Sequence, residues 1–323
     1  MSVSPRLIRA RIRSIGNTRK ITKAMELVAA SKMRRATGAA TAARPYAEAG
    51  WDMLVHLIPT VDPQAHPLLA KRPVRKVLMI LVTSHRGLAG GLNANILRKV
   101  NEQLRQPEVI AELRLPGVAA PSGEIAIDLA TVGRKGEEAM RRAGKNIIAS
   151  FAFKGDVPTT EDIRPISSFV INQYAEAIYD KVVVAYTDFV SIVLQRPKLR
   201  QILPISSWDL EKMISEAQHG RFFEAKEISA PPEPESKGTE YLFEPTAAEI
   251  LDFMLPRLVE VQIYQALLES SASEHSARMM AMRNATEAAG EMIDDLTFTF
   301  NQARQAGITR EISEIAAGKA ALE

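Results

Sequence analysis

From Thr246 onward the chain reads as helix almost to its end, about 75 residues or roughly 110 Å if unbroken. Along it Met282, Ala285, Ala289, Met292, Leu296, Thr299, Ala303 and Ala306 follow a strict 3,4 spacing, which marks a heptad seam turned toward a partner helix. Its residues are mostly small, so two backbones can approach closely while little apolar area is buried. Pro256 is expected to kink or restart this helix. Gly307 weakens it late, by roughly 1 kcal/mol relative to Ala.

The partner is legible at the other end. Arg6 to about Ala43 reads as one helix with no proline, which Pro45 should end or kink. Ile8, Ile15, Thr18, Thr22, Met25 and Ala29 form one thin stripe, and Ile12, Ile21, Ala24 and Val28 a second. The first 35 residues hold ten Lys or Arg and one acid, Glu26, whereas Thr246 to Glu323 holds six Lys or Arg and twelve Asp or Glu. A net charge of +3 therefore hides two complementary ends. The Arg-rich start has the pattern of a mitochondrial transit peptide. It continues without a cleavage-like break into Lys32, Arg34 and Arg35, and is read as mature structure.

Between the helices the period changes. "KVLMILVT" (Lys76 to Thr83) is a continuous apolar run suited to a buried strand, and "SHRGLAGGLN" follows it. A helix from Asn93 to Leu104, a strand from Ile125 to Val132, a helix from Lys135 to Ala143 and a strand from Asn146 to Phe153 come next. A helix from Ser167 to Tyr179 and a strand from Lys181 to Phe189 complete an alternation that predicts a parallel or mixed α/β sheet. "SAPPEPESKG" (Ser229 to Gly238) is loop or linker by composition, and Trp208 to Ile228 has room for a short helix. The expected fold class is α/β: a small Rossmann-like domain bracketed by a long antiparallel coiled coil of the N- and C-terminal helices. The boundaries are 1–56 for the first helix, 74–205 for the α/β domain, 206–245 for a variable linker and 246–323 for the last helix.

Several chemistries are excluded or weak. There is no cysteine, hence no disulfide, thiolate zinc site or thiol catalysis. Five His are scattered, without HExxH spacing. No run of 18 apolar residues is present to span a membrane. "RGLAGG" lies between a strand and a helix, where phosphate loops occur, but Gly87, Gly90 and Gly91 fit neither GxxxxGK[ST] nor GxGxxG. It is read as a tight structural turn needing positive φ. Asp294 and Asp295 are adjacent on a helix and cannot face each other as a dyad, and His85 and His275 have no evident partners. No catalytic residue, metal site or cofactor is expected. The basic helix lacks an aromatic for stacking on bases, and its apolar face is narrow and without Trp or Phe for a membrane surface. Pairing with the acidic last helix, with surplus charge left for acidic partner proteins, accounts for it better.

Particular segments carry a resemblance. "NTRKITKAMELVAASKMRRA" closely resembles the N-terminal signature of the γ subunit of rotary F-type ATP synthases. "SARMMAMRNATEAAGEMIDDL" with "NQARQAGITREISEIAAGKAAL" is similar to that family's C-terminal signature, "TSHRGLAGGLNANI" to its strand–turn–helix segment and "YLFEP" to a short segment before the last helix. The resemblance covers nearly the whole chain. It implies a central rotor shaft that couples ion flow through a membrane c ring to conformational cycling of catalytic β subunits, without catalysis of its own. The implied partners are the α and β subunits, an ε-type subunit and the c ring. The implied location is a peripheral membrane complex, on the cytoplasmic face of a bacterial inner membrane rather than in an organelle.

Carried over by position, Lys20, Lys23 and Met25 fall where the family's shaft faces moving β-subunit loops, and Arg278 in the matching stretch of the last helix. Arg304, Gln305 and Thr309 fall at the β-subunit catch loops, and Tyr241, Phe243 and Glu244 where the c ring is met. Departures are Ala89 in place of the Cys of "GLCGG", Pro256 in a usually continuous helix, Gly307 and Arg310, and a longer Ser206 to Gly238 stretch. Without cysteine the thiol switch of chloroplast-type members is absent. The competing classes are a stand-alone coiled-coil protein with a ligand-binding α/β domain and a basic nucleic-acid-binding protein. Co-purification with α and β partners separates them.

Overall fold

A computed structural model describes residues 4–57, 66–111, 124–153, 155–205 and 246–320. These form two compact units, Met1–Ala30 with Arg278–Glu323, and Ser31–Ala277. Two helices, α1 (Pro5–Leu57) and the last helix, contribute residues to both. The linker stretch and the short helix considered for Trp208 to Ile228 lie outside the described residues.

In the larger unit the organising element is β1 (Lys76–Val82), whose run of apolar residues is buried from Val77 onward. Successive side chains leave a strand on opposite faces, so an unbroken apolar run is what a strand covered on both sides requires. Leu78, Ile80 and Val82 enter one core with α5 (Thr160–Ala175) and with Leu251, Leu255, Val259 and Ile263 of the last helix, α6 (Ala247–Ala320). Val77, Met79 and Leu81 enter the other with Ile96 and Val100 of α2 (Leu92–Leu104), Ile110 of α3 (Pro107–Ala111) and Met140 of α4 (Arg134–Arg142). The sheet adds β2 (Ala126–Val132), β3 (Ile147–Phe151), β4 (Lys181–Phe189) and β5 (Gln195–Leu203), in the order β3-β2-β1-β4-β5. β1 runs parallel to β2 and β4, and β2 to β3, while β5 returns antiparallel to β4. Gly133 ends β2 at φ 96, and a Cβ there would sit 2.1 Å from the Thr83 carbonyl oxygen. Only glycine permits that approach of β2's end to β1's.

β5 was not foreseen, and for a reason. "QRPKLRQIL" carries charge and a proline, and it is half-exposed along most of its length, as sheet edges are. α5 begins earlier than Ser167, because Thr159 and Asp162 form a capping box and Pro165 is accommodated inside the helix. Pro45 and Pro256 also lie within continuous helical spans, so neither proline stops or restarts its helix. Each proline frees a carbonyl four residues back, at Thr41 and Asp252, and both of those residues are exposed to water. Around Pro256, the burial of Leu251, Leu255, Leu258 and Val259 offsets a cost of about 3 kcal/mol.

In the smaller unit α1 and α6 pair antiparallel. Thr22 meets Thr286, Arg19 lies beside Gly290, and the Arg9 guanidinium stands 5.1 Å from the centre of the Phe300 ring, so one number falls as the other rises. Ala285 and Thr286 are both half-buried, and the seam on α6 departs from the expected one at Met292, Thr299 and Ala306. Met282, Ala289, Leu296 and Ala303 are turned inward as foreseen, but their intermediates include Ile293 and Phe300, while Met292 and Thr299 are exposed. Both registers satisfy a heptad. The observed one covers the larger side chain at 299/300 and the β-branched one at 292/293.

Candidate functional site

The surface of the smaller unit carries the predicted partner-facing residues. On α1, Arg6, Arg9, Arg11, Arg13, Arg19, Lys20 and Lys23 are all exposed. The ion pairs shown in this unit run along single helices, Lys23 to Glu26 at 2.9 Å and Arg283 to Glu287 at 3.1 Å. Exposed pairs are worth little, and long cations keep their hydration when no geometry forces them together. The two helices are held instead by the Thr22–Thr286 hydroxyl bond at 2.8 Å, the Arg9–Phe300 cation–π contact and the thin seam. Most of the positive charge is thus left on the outside.

Lys20, Lys23 and Met25 sit in the middle of the paired stretch, with Met25 half-buried and both lysines exposed. The second apolar stripe foreseen on α1 is half-covered at Ile12 but exposed beyond it: Ile21 is 61% exposed and Val28 53%, and Leu27 joins them at 61%. A basic and an apolar surface therefore lie side by side there. Arg278 is half-buried on α6 at the unit's edge.

Arg304, Gln305 and Thr309 are in a different setting. Arg9 pairs with the level of Phe300, so the residues from Arg304 onward run past the first turn of α1. Residues 308–317 are exposed without exception. Gln305 and Thr309 share a helix face, and the Thr309 hydroxyl donates to the Gln305 carbonyl at 3.0 Å, leaving both side chains on the surface. Ile308, Ile312 and Ile315 form an exposed stripe on the same tip. Sequence reasoning missed this stripe because the register it favoured stopped at Ala306. Tyr241, Phe243 and Glu244 lie outside the described residues.

In the larger unit the "RGLAGG" turn uses its own polar groups. The Ser84 amide donates to Asn93 Oδ1 at 3.1 Å, Asn93 Nδ2 donates to Ser84 Oγ at 2.7 Å, and Ser84 Oγ donates to the Arg86 carbonyl at 2.6 Å. Gly90 takes φ 55, but so does a non-glycine neighbour, Leu88, at φ 63. Gly91 precedes α2 with an ordinary φ of −82, and Gly87 has no positive φ. The left-handed requirement thus falls on one of the three glycines. Ala89 is buried, so the position accepts a small side chain. Among the described residues no cluster of three or more His, Asp or Glu is placed to hold a metal ion. None of the described helices is long and apolar enough to cross a membrane.

Comparison with known proteins gives one answer. A family model described as ATP synthase matches residues 4–322. The ATP synthase gamma chain of Pelotomaculum thermopropionicum is 41% identical over 322 residues, covering 99% of each chain. That of Coxiella burnetii is 39% identical over 320 residues, covering 98% of this chain and 99% of the relative. Among solved structures, the central stalk and c-ring of the Tetrahymena thermophila mitochondrial ATP synthase aligns with a TM-score of 0.55 at 24% identity, over 82% of this chain and 99% of that one. A chain of the Euglena gracilis mitochondrial ATP synthase in rotational state 3 aligns at 0.61 and 17% identity, over 98% and 94%. At these identities the structures speak for the fold.

Proposed function

The chain belongs to the ATP synthase gamma chain family, and from that premise we propose that it is the central rotor shaft of an F-type ATP synthase. In this reading it couples ion flow through a c ring to the conformational cycle of catalytic β subunits, and carries out no chemistry itself. Its partners are α and β subunits around the helix pair, and an ε-type subunit and c ring at the α/β unit. The complex is peripheral to a membrane, on the cytoplasmic face in a bacterium.

One observation carries the reading beyond family membership. A pair of helices that buries only a thin seam keeps both its basic residues and several large apolar ones exposed. An isolated surface of that kind is costly, and a protein sleeve relieves it. Apolar side chains such as Ile21, Leu27 and the tip isoleucines slide against a sleeve without a fixed geometry, since hydrophobic contact is non-directional. Lys20, Lys23, Arg304 and Gln305 supply charged and polar contacts that form and break as the shaft turns. The "RGLAGG" turn serves the fold, Gly90 by its left-handed φ and Gly87 and Gly91 as compact flanks.

The test is co-purification of the tagged chain from its host membrane, followed by native mass measurement. An assembly containing α and β subunits that hydrolyses ATP and pumps ions is the expected result. A chain that purifies alone, or with nucleic acid, overturns the reading.

A further inference from the structure

Threonines and serines inside helices ordinarily turn their hydroxyls back to the carbonyl one turn earlier. The smaller unit follows this habit: Thr297, Thr299, Thr309 and Ser313 each donate to the carbonyl four residues before. One segment of α6 does the opposite. In "ESSASEHS", Glu269 to Ser276, every residue but Glu274 is buried, in a helix whose flanking turns are lined by leucines and alanines. Three of its four serine hydroxyls reach outward. Ser271 donates to the Asp156 carbonyl at 2.9 Å, Ser273 to the Thr187 carbonyl at 3.0 Å and Ser276 to the Ile192 carbonyl at 2.7 Å. His275 Nε2 stands 3.0 Å from the same Asp156 carbonyl, and Gln195 Nε2 donates to Ser276 Oγ at 3.4 Å.

The three acceptors belong to three segments: the loop before α5, the end of β4 and the turn between β4 and β5. They approach from two sides. Ser271 and His275 are one turn apart on one flank of α6. Ser273 and Ser276 lie roughly 140–200° round the helix from Ser271, at about 100° per residue. The clasp includes α1 as well, because the Asp156 carboxylate accepts from Lys32 Nζ at 2.6 Å and lies 3.8 Å from Arg35. All of these residues belong to the larger unit, close to where its two helix segments end at Ser31 and Ala277.

We propose that this serine collar is a torque joint: Ser271, Ser273 and Ser276 are positioning residues that fix α6 about its own axis against the sheet, so that twist passes between helix and α/β unit without slip. The proposal rests on the rotor reading above. The hydrophobic driving force is non-directional, whereas a hydrogen bond weakens steeply as its angle falls below about 120°. Three directional bonds on two flanks therefore oppose rotation of a helix that leucine packing alone would hold less firmly. Serine suits the task because its short side chain keeps the acceptor close to the helix backbone.

The experiment uses the assembled complex with its α/β hexamer immobilised and a rod attached at Glu108→Cys, an exposed site in a chain with no other cysteine. Angular spread of the rod at catalytic pauses, and ions pumped per ATP hydrolysed, are compared between the wild-type collar and Ser271→Ala/Ser273→Ala/Ser276→Ala. A wider angular spread and a lower pumping ratio, with ATP turnover retained, is expected. Ser276→Ala alone, which removes one of the three bonds, provides a milder second variant and is expected to widen the spread less. Unchanged spread and pumping in variants that melt at lower temperature would show that the serines serve the fold alone, and overturn the joint. If the triple variant does not assemble, Ser276→Ala decides between the same two outcomes. A wild-type chain that does not turn within the hexamer sinks the rotor reading itself, before any variant is compared.

Discussion

The two units are stabilised in opposite ways. The α/β unit buries its large apolar residues on two faces of one sheet, and the backbone is pressed so close at Gly133 that no side chain fits. The helix pair buries little more than Ile8, Thr22, Ala29, Met282 and Ala289, and no neighbour lies within 4 Å of a Cβ added at Gly16 or Gly307. A packed core punishes any change in volume, while a thin seam tolerates change in its own fold and leaves the consequence to whatever surrounds it. Fold and function are thus carried by different residues.

The sharpest way to break that contrast is at glycine. Gly133→Ala should abolish cooperative unfolding of the α/β unit or lower stability by more than about 3 kcal/mol, as read by urea denaturation. A loss below about 1 kcal/mol would mean that the Thr83 approach relaxes easily. Next in size is the outer surface of the helix pair. Lys23→Glu or Met25→Glu should leave the isolated chain's melting temperature within about 2 °C of wild type while lowering ATP-driven pumping in the complex. Normal pumping in both variants removes these positions as contacts. Replacing Arg304, Gln305 and Thr309 together by Ala should lower assembly yield or turnover, since bonds to charged groups contribute about 1.5–3 kcal/mol each. A destabilised free chain in an unaltered complex reverses the assignment.

A smaller effect tests the α/β core by pH. Glu269 is buried on α6, and burial raises its pKa to about 7 against the nearby Arg200 guanidinium, which pulls it down. Folding then favours the protonated acid. Its contribution is full at low pH, declines as pH rises from the ordinary carboxylate range through about 7, and is lost above that. Glu269→Gln should remove this part of the pH dependence, so that its melting curve is flatter between pH 5 and 8. An unchanged slope would mean that the carboxyl remains paired when ionised. Smallest of all, Gly307→Ala at the unpaired tip should add roughly 1 kcal/mol of helix stability, visible as a small gain in circular dichroism.

What the sequence could convey followed the same division. Strands β1, β2 and β4 were legible because an interior, twice-covered strand is apolar, and "KVVVAYTDF" matched its bounds residue for residue; β3, at the sheet's other edge, was legible from its uncharged, apolar "IIASF". β5 was not, because an edge strand with Pro197 and five cations or amides looks like loop. In the helices, existence was clear but register and ends were not. A seam of alanines scarcely distinguishes 285 from 286, so Met292 and Ile293 exchanged places. Pro45 and Pro256 were read by their local cost, while packing and exposed carbonyls let both helical spans continue. Among the candidate contact residues, sequence located the exposed basic positions. It missed the tip isoleucines and the serine collar, since outward hydroxyls depend on carbonyls more than eighty residues away.

The Thr22–Thr286 bond joins residues 264 positions apart. At synthesis rates of about 5–20 residues per second, the first helix leaves the ribosome on the order of ten seconds or more before its partner exists. Throughout that interval it is a long basic segment with Ile8, Ile15 and Ala29 uncovered, beside an α/β unit that forms its sheet from local crossovers. The pair can only zip once α6 has been made. Its thin seam, weak as a store of stability, also leaves the waiting strand of α1 with few apolar residues to lose to aggregation.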